Sequence, residues 1–289
     1  MASSSLARTL GLGGAGAFAG AIASSTGLAG ALVIVPTLHN LTTLSNAVIT
    51  GTTLCSTTVL STIGTVSYLD RGLVDAPVAL ALGAVGSATS FAGVLAAQRL
   101  DNAAVGRCVK PALGVFLLCL APTMYFRRRQ SAGSSSVEDI MNARSKLGLF
   151  RFYQQQFSER HNVDAGLIIS GGIGGLTQGF AAVGGGLIQT SYMTKNTDMN
   201  QHVIIATSLA ATNIVNFFAA SQYVRRRLVH TPTVGLVGAI GGCSLVACSY
   251  FSVKFPEEKL RTVFAAFLAL SSALMIRSSL PLRMIKWKP

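Results

Sequence analysis

The sequence predicts an all-α polytopic membrane protein of about eight transmembrane helices, built as two homologous four-helix repeats with a broken, Gly-rich first helix in each. Three observations carry this. Half of the 289 residues are hydrophobic, only 11% are charged and mean hydropathy is +0.53, whereas a soluble domain carries about 25% charged residues. The apolar stretches are close to or above the ~20 residues that a helix needs to cross a bilayer. Shifted by 155 residues, the chain aligns with itself without a gap, with roughly 17 identities over about 74 positions; composition alone gives about 6.

Taken in order, residues 1–9 form a lead whose Arg8 and serines fit either an organellar transit segment or a short disordered start. The first repeat covers 10–126, with spans expected at about 10–38, 46–69, 74–97 and 104–126. Residues 127–164 form a linker, in which Ser135-Ser136-Val137-Glu138 has the form of a capping box. Ile140, Ala143, Leu147, Phe150 and Phe157 follow at helical spacing among Arg144, Lys146 and Arg151, which predicts an amphipathic helix on the membrane surface; a docking surface for a partner is the alternative. The second repeat covers 165–280, with spans at about 165–193, 202–224, 231–252 and 260–280, before a basic tail at 281–289. The register pairs Gly30 with Gly185, Thr52 with Thr207, Tyr68 with Tyr223, Arg71 with Arg226, Pro77 with Pro232 and Gly86 with Gly241.

The formal net charge of +13 lies between the spans, so it argues for orientation rather than nucleic acid. With eight crossings, Lys and Arg divide about 16 to 7, the larger share on the side of both termini and the linker; with the first and fifth segments as re-entrant hairpins they divide about 11 to 12. The positive-inside bias therefore favours eight crossings, parallel repeats and a cytosolic or matrix location for the termini, in the plasma membrane or an organellar inner membrane. The five cysteines are odd in number and lack metal-like spacing, so neither a disulfide framework nor a metal site is expected. No Ser/His/Asp arrangement or phosphate loop occurs. No enzyme activity or cofactor is expected.

The first and fifth segments run to about 29 residues each and are interrupted by Ser24-Ser25-Thr26-Gly27 with Gly30, and by Gly179 with Gly184-Gly185-Gly186. Paired Gly-interrupted segments in two repeats are the best sequence pointer to a transporter's binding site. The two copies read Gly27-Leu28-Ala29-Gly30 through Pro36, with Thr52-Thr53-Leu54 following, and Val183-Gly184-Gly185-Gly186 through Ser191, with Thr207-Ser208-Leu209 following. On these residues the chain resembles the sulfite exporter TauE/SafE family of membrane permeases, over nearly all its length apart from the linker and ends. The resemblance implies export or exchange of small sulfur-containing anions such as sulfite or sulfonates. Two departures stand out: the first copy keeps one glycine of the family's triple, and Ser191 stands where the second copy's proline belongs.

A helix interrupted at Gly27–Ala31 or at Gly184–Gly186 offers unpaired N–H groups and a positive dipole end to an anion. Close helix packing explains the same glycines, and both readings stand. Asn46, Thr50, Thr52 and Thr53 in one half, and Gln189, Gln201, Thr207, Ser208, Asn213 and Asn216 in the other, supply hydroxyls and amides for an oxyanion. Asn213 and Asn216 are the costliest to bury. Asp75 and His230, equivalent under the repeat, are candidates for proton coupling or, more plainly, helix capping. The expected partners are a small anionic substrate and the bilayer, not nucleic acid, with a homo-oligomer or membrane complex as an open question. The leading functional expectation is a secondary anion permease; the alternative is a non-transporting accessory subunit that retains a permease fold.

Overall fold

In the computed structural model, residues 2–27, 30–99, 137–158 and 163–252 are described, with the single positions 262 and 266. The fourth span, Arg127–Arg129, Cys108, Cys119 and the basic tail lie outside these residues, as does the eighth span apart from those two positions. The helices are α1 (Ala2–Thr26), α2 (Ala31–Leu41), α3 (Asn46–Asp70), α4 (Ala76–Arg99), α5 (Val137–Leu147), α6 (Leu149–Ser158), α7 (Ala165–Ala181), α8 (Gly185–Asn196), α9 (Gln201–Arg225) and α10 (Thr231–Ser252). Among the described residues, four helices are long and apolar enough to cross a membrane: α3, α4, α9 and α10.

The two Gly-interrupted segments do not cross as single broken helices. Each folds back on itself. A Cβ on Gly174, midway along α7, would stand 3.1 Å from the Gly185 carbonyl at the start of α8. At the far end of α8, Tyr192 donates its hydroxyl proton to Asp164, the residue that caps the start of α7. The first hairpin closes likewise: a Cβ on Gly11 of α1 would lie 2.9 Å from Leu41 at the end of α2. The turns need left-handed backbone, found at Gly27 (φ 70°), Gly30 (φ 72°) and Gly184 (φ 113°), where a side chain is disfavoured. Ala182, the repeat counterpart of Gly27, also takes a positive φ of 58°.

The repeats are inverted rather than parallel. Gly64 of α3 faces Leu209 of α9, Ser61 and Thr62 bond Asn213, and Gly51 faces Tyr223. Equivalent helices thus run antiparallel, which places the pseudo-two-fold axis in the membrane plane. The expectations of parallel repeats and of eight crossings were both built on the charge bias. With the hairpins returning to their own side, that argument no longer holds: the sequence count for re-entrant first and fifth segments is about 11 to 12.

Each hairpin packs against the other repeat, α1 on α10 and α7 on α4. The equivalent contacts use equivalent glycines. A Cβ on Gly20 would sit 2.0 Å from the Gly241 carbonyl oxygen, and one on Gly175 would sit 2.0 Å from that of Gly86. Such backbone contact is how helices associate in lipid, where apolar side chains gain nothing by leaving the tails. Outward-facing Phe18, Val66, Phe91, Ile169, Phe217 and Phe251 remain exposed, as lipid-facing positions would.

Two further pairs obey the repeat. Tyr68 donates to the Ser24 carbonyl at 2.7 Å and Tyr223 to the Gly179 carbonyl at 3.3 Å. Each ties a hairpin to a long helix and satisfies an orphan helix-end carbonyl.

The linker forms two helices instead of one, broken at Gly148 (φ 72°). It lies at the C-terminal end of α3: Arg144 pairs with Asp70 at 2.6 Å and Tyr153 donates to the Leu69 carbonyl at 3.0 Å. Burial there pushes the Tyr153 hydroxyl up to about 12. Val137 and Ile140 pack inward, while Phe150 and Phe157 stay exposed, so the single stripe expected from spacing is divided between two faces. The linker and the start of α1 therefore lie at opposite ends of α3, contrary to the shared side expected from charge. Exposed Thr43 and Lys146, each replaced by Cys in a cysteine-free background, should react with an impermeant thiol reagent from opposite sides of the membrane. Labelling of both from one side would contradict the inverted arrangement.

Candidate functional site

The hairpin tips reach into the protein from opposite sides and pass beside one another. A Cβ on Gly186 would stand 3.0 Å from the Gly27 carbonyl oxygen. Between them lies a cavity of ≈ 20 Å³ lined by Ala31 and Leu32 from α2, and by Gln178, Val183, Gly184, Gly186, Leu187 and Thr212 from the other repeat. That is room for about one water molecule. Both α2 and α8 begin at the tips, so the positive ends of two helices meet the middle of the protein. Among the described residues no charged side chain lines the space.

A polar chain organises the second tip. The Gly185 N–H donates to Gln178 Oε1 at 3.0 Å, and Gln178 Nε2 donates in turn to Asn216 Oδ1 at 2.5 Å. That order fixes both amides: Asn216 Nδ2 faces away from Gln178 and has no partner among the described residues. Thr212 lies one turn before Asn216 on α9, its Oγ1 also without a partner and 3.1 Å from the Cβ position of Gly186. Gln189, one turn into α8 and fully buried, has neither amide atom bonded. Buried polar groups in lipid-embedded protein are nearly always hydrogen-bonded. Several orphans around one helix start therefore mark a place built to meet something polar.

Of the residues singled out from sequence, Gly27, Gly184, Gly186, Gln189 and Asn216 come together at or beside the tips. Ser208 does too, donating to the Gly186 carbonyl at 3.1 Å and accepting from Thr190 at 2.8 Å. Gly30 packs on Ala19 and starts α2. Gly185 serves hairpin packing, since its Cβ would lie 3.0 Å from Gln178 Oε1. Pro36 lies within α2, half-buried. Thr53 is fully buried with an unbonded hydroxyl. Asn213 instead ties α9 to α3 through Ser61 and Thr62, both at 3.0 Å. Asn46, Thr50 and Gln201 sit at helix starts; Thr50 bonds the Asn46 carbonyl and Gln201 accepts from Thr194.

Thr52 and Thr207 act as matched staples. Thr207 Oγ1 accepts the Asp75 N–H and Thr52 Oγ1 accepts the His230 N–H, each at 2.9 Å. Asp75 caps α4 by accepting from the Val78 N–H, and His230 pairs with Thr233 at the start of α10. Asp75 is buried and His230 exposed. Thr207→Val removes an acceptor from a buried N–H and should cost about 1–3 kcal/mol, read as a lowered melting temperature in detergent. No change would argue that water satisfies the turn.

Gln178 and Thr212 escaped sequence reasoning. A signal existed in the repeat itself: Gln178 aligns with Ala23, Gln189 with Ile34 and Asn216 with Ser61. At these three positions the amide side chains are confined to one copy of a duplicated element; Thr212, whose counterpart is Thr57, carries no such signal.

Compared with known proteins, residues 12–280 match the family model described as Sulfite exporter TauE/SafE. No curated protein and no solved structure matches the chain.

Proposed function

The chain belongs to the sulfite exporter TauE/SafE family, and is thus an integral membrane permease by family; from that premise we propose that it moves small sulfur-containing or organic anions through the space between its two hairpins. The observation that carries this reading is the meeting of both tips at one cavity, with two helix N-termini and unpaired neutral donors around it. The cavity of ≈ 20 Å³ is too small for an oxyanion, so passage requires the tips to part. Inverted repeats supply the means, since tilting one hairpin against the other repeat exchanges which side is open. Asp75 and His230 act as helix caps in this scheme. The test is a substrate screen in proteoliposomes with sulfite, sulfonates and small carboxylates; an absence of protein-dependent flux for every one of them would overturn it.

A second reading, an accessory subunit that retains a permease fold, is favoured by the single glycine kept in the first copy and by Ser191 in place of proline. Migration of the native protein within a large assembly, together with no flux, would select it.

A further inference from the structure

Resting on the permease reading, we propose that the Gln178, Thr212 and Asn216 group forms one anion-binding site per chain, confined to the second repeat, which accepts singly charged oxyanions and rejects dianions. Three features of the site lead there.

The first is its donor inventory. Thr212 lines the cavity, and Asn216, one turn further along α9 and bonded to the cavity-lining Gln178, carries a second donor in Nδ2; both donors are buried and without a partner among the described residues. Gln178 is a positioning residue: by accepting from Gly185 and donating to Asn216 it turns the free Asn216 N–H groups away from itself. The start of α8 adds the partial positive charge of a helix end, about half an elementary charge. An unpaired amide N–H and a hydroxyl can serve oxygen acceptors of an anion, but they do not neutralise it.

The second is the absence of a countercharge. Among the described residues the lining holds no Lys, Arg or His, and the basic groups of the elements that form it lie at helix ends: Lys195 in the last turn of α8, His39 in the last turn of α2, Arg225 in the last turn of α9, and His202 in the first turn of α9, where its ring meets Asn200. Desolvation cost rises with the square of the charge, and without a paired opposite charge nothing repays it. Neutral donors that hold a monoanion therefore fail for a dianion of similar size. Sulfur(IV) oxyanion would be taken as hydrogensulfite rather than sulfite, and sulfate would be excluded.

The third is one-sidedness. The counterparts of Gln178 and Gln189 are Ala23 and Ile34, and among the described residues the first hairpin lines the cavity with Ala31 and Leu32. Those two side chains close the site without offering the ligand a hydrogen bond.

The test is counterflow in proteoliposomes, with sulfite assayed across a pH series, sulfate as a permanent dianion and methanesulfonate as a permanent monoanion. Sulfite flux should follow the hydrogensulfite fraction, falling about tenfold per pH unit above its second ionisation; methanesulfonate flux should stay level, and sulfate should not move. Thr212→Val should raise the half-saturating methanesulfonate concentration about tenfold or more. Its repeat counterpart Thr57→Val should not change it. Sulfite flux that rises with the dianion, sulfate moving as fast as methanesulfonate, or equal effects of the two threonine variants would overturn the proposal while leaving the permease reading intact. Protein-dependent flux of no anion at all would instead sink the permease reading.

Discussion

Alanine at Gly175 is expected to stop the second hairpin from seating on α4 and to leave little folded protein. Its Cβ would stand 2.0 Å from the Gly86 carbonyl oxygen and 2.5 Å from the Gly86 Cα, and neither is a side-chain atom that can rotate away. Relief requires two whole helices to separate, so the cost should exceed the ~1–3 kcal/mol of ordinary overpacking. Gly20→Ala, the repeat equivalent against Gly241, should do the same. Gly235→Ala provides the contrast, because nothing lies within 4 Å of its Cβ position and alanine improves helix propensity by about 1 kcal/mol. Thermal melting in detergent reads all three. A Gly175→Ala protein as stable as Gly235→Ala would mean that α4 and α7 are not in backbone contact.

Leucine at Gln178 should reduce transport at least tenfold, about 1.4 kcal/mol, with the protein still inserted. It removes the acceptor of the Gly185 N–H and the donor that orients Asn216 at once. The stranded Gly185 N–H adds about 1–3 kcal/mol of instability, which four long helices and two hairpins can absorb. Gln178→Glu keeps an acceptor for Gly185, but an ionised carboxyl buried there without a countercharge would repel an anion, so flux should fall at least as far as in the leucine variant. If both variants transport at the normal rate, the polar chain at the second tip is structural alone.

The base of the same hairpin has its own pH dependence. Hydrogen bonds from Tyr192 and then from the Leu167 N–H hold the exposed Asp164 carboxyl below the usual range. A depressed carboxylate contributes at pH values above its unfolded pKa and lets go as pH falls through the folded one. The Tyr192 clasp should therefore persist at neutral pH and open only in acid, and Tyr192→Phe should weaken that acid transition in hydrogen exchange at the hairpin base, leaving the part that the Leu167 N–H contributes.

Much of this molecule was legible in its sequence because it follows from local and repeated chemistry. Apolar length located the four long helices, and clustered glycines located both breaks, since positive φ at Gly27, Gly30 and Gly184 is a backbone property that a sequence announces. The duplication at a shift of 155 residues pairs Thr52 with Thr207 and Tyr68 with Tyr223, and their hydrogen bonds match. Only the tertiary structure decided what the breaks do. A broken span and a hairpin have the same composition; they differ in whether α8 continues or returns beside α7, which rests on long-range contacts such as Gly174 with Gly185 and Tyr192 with Asp164. That choice changed the number of crossings, removed the charge bias that had argued for parallel repeats, and inverted one repeat against the other. It also decided which polar residues share a site. Asn213 and Asn216 are three residues apart on one helix, yet the first faces α3 and the second faces Gln178, because a helix turns each side chain through about 100° per residue and only packing reveals what lies in that direction.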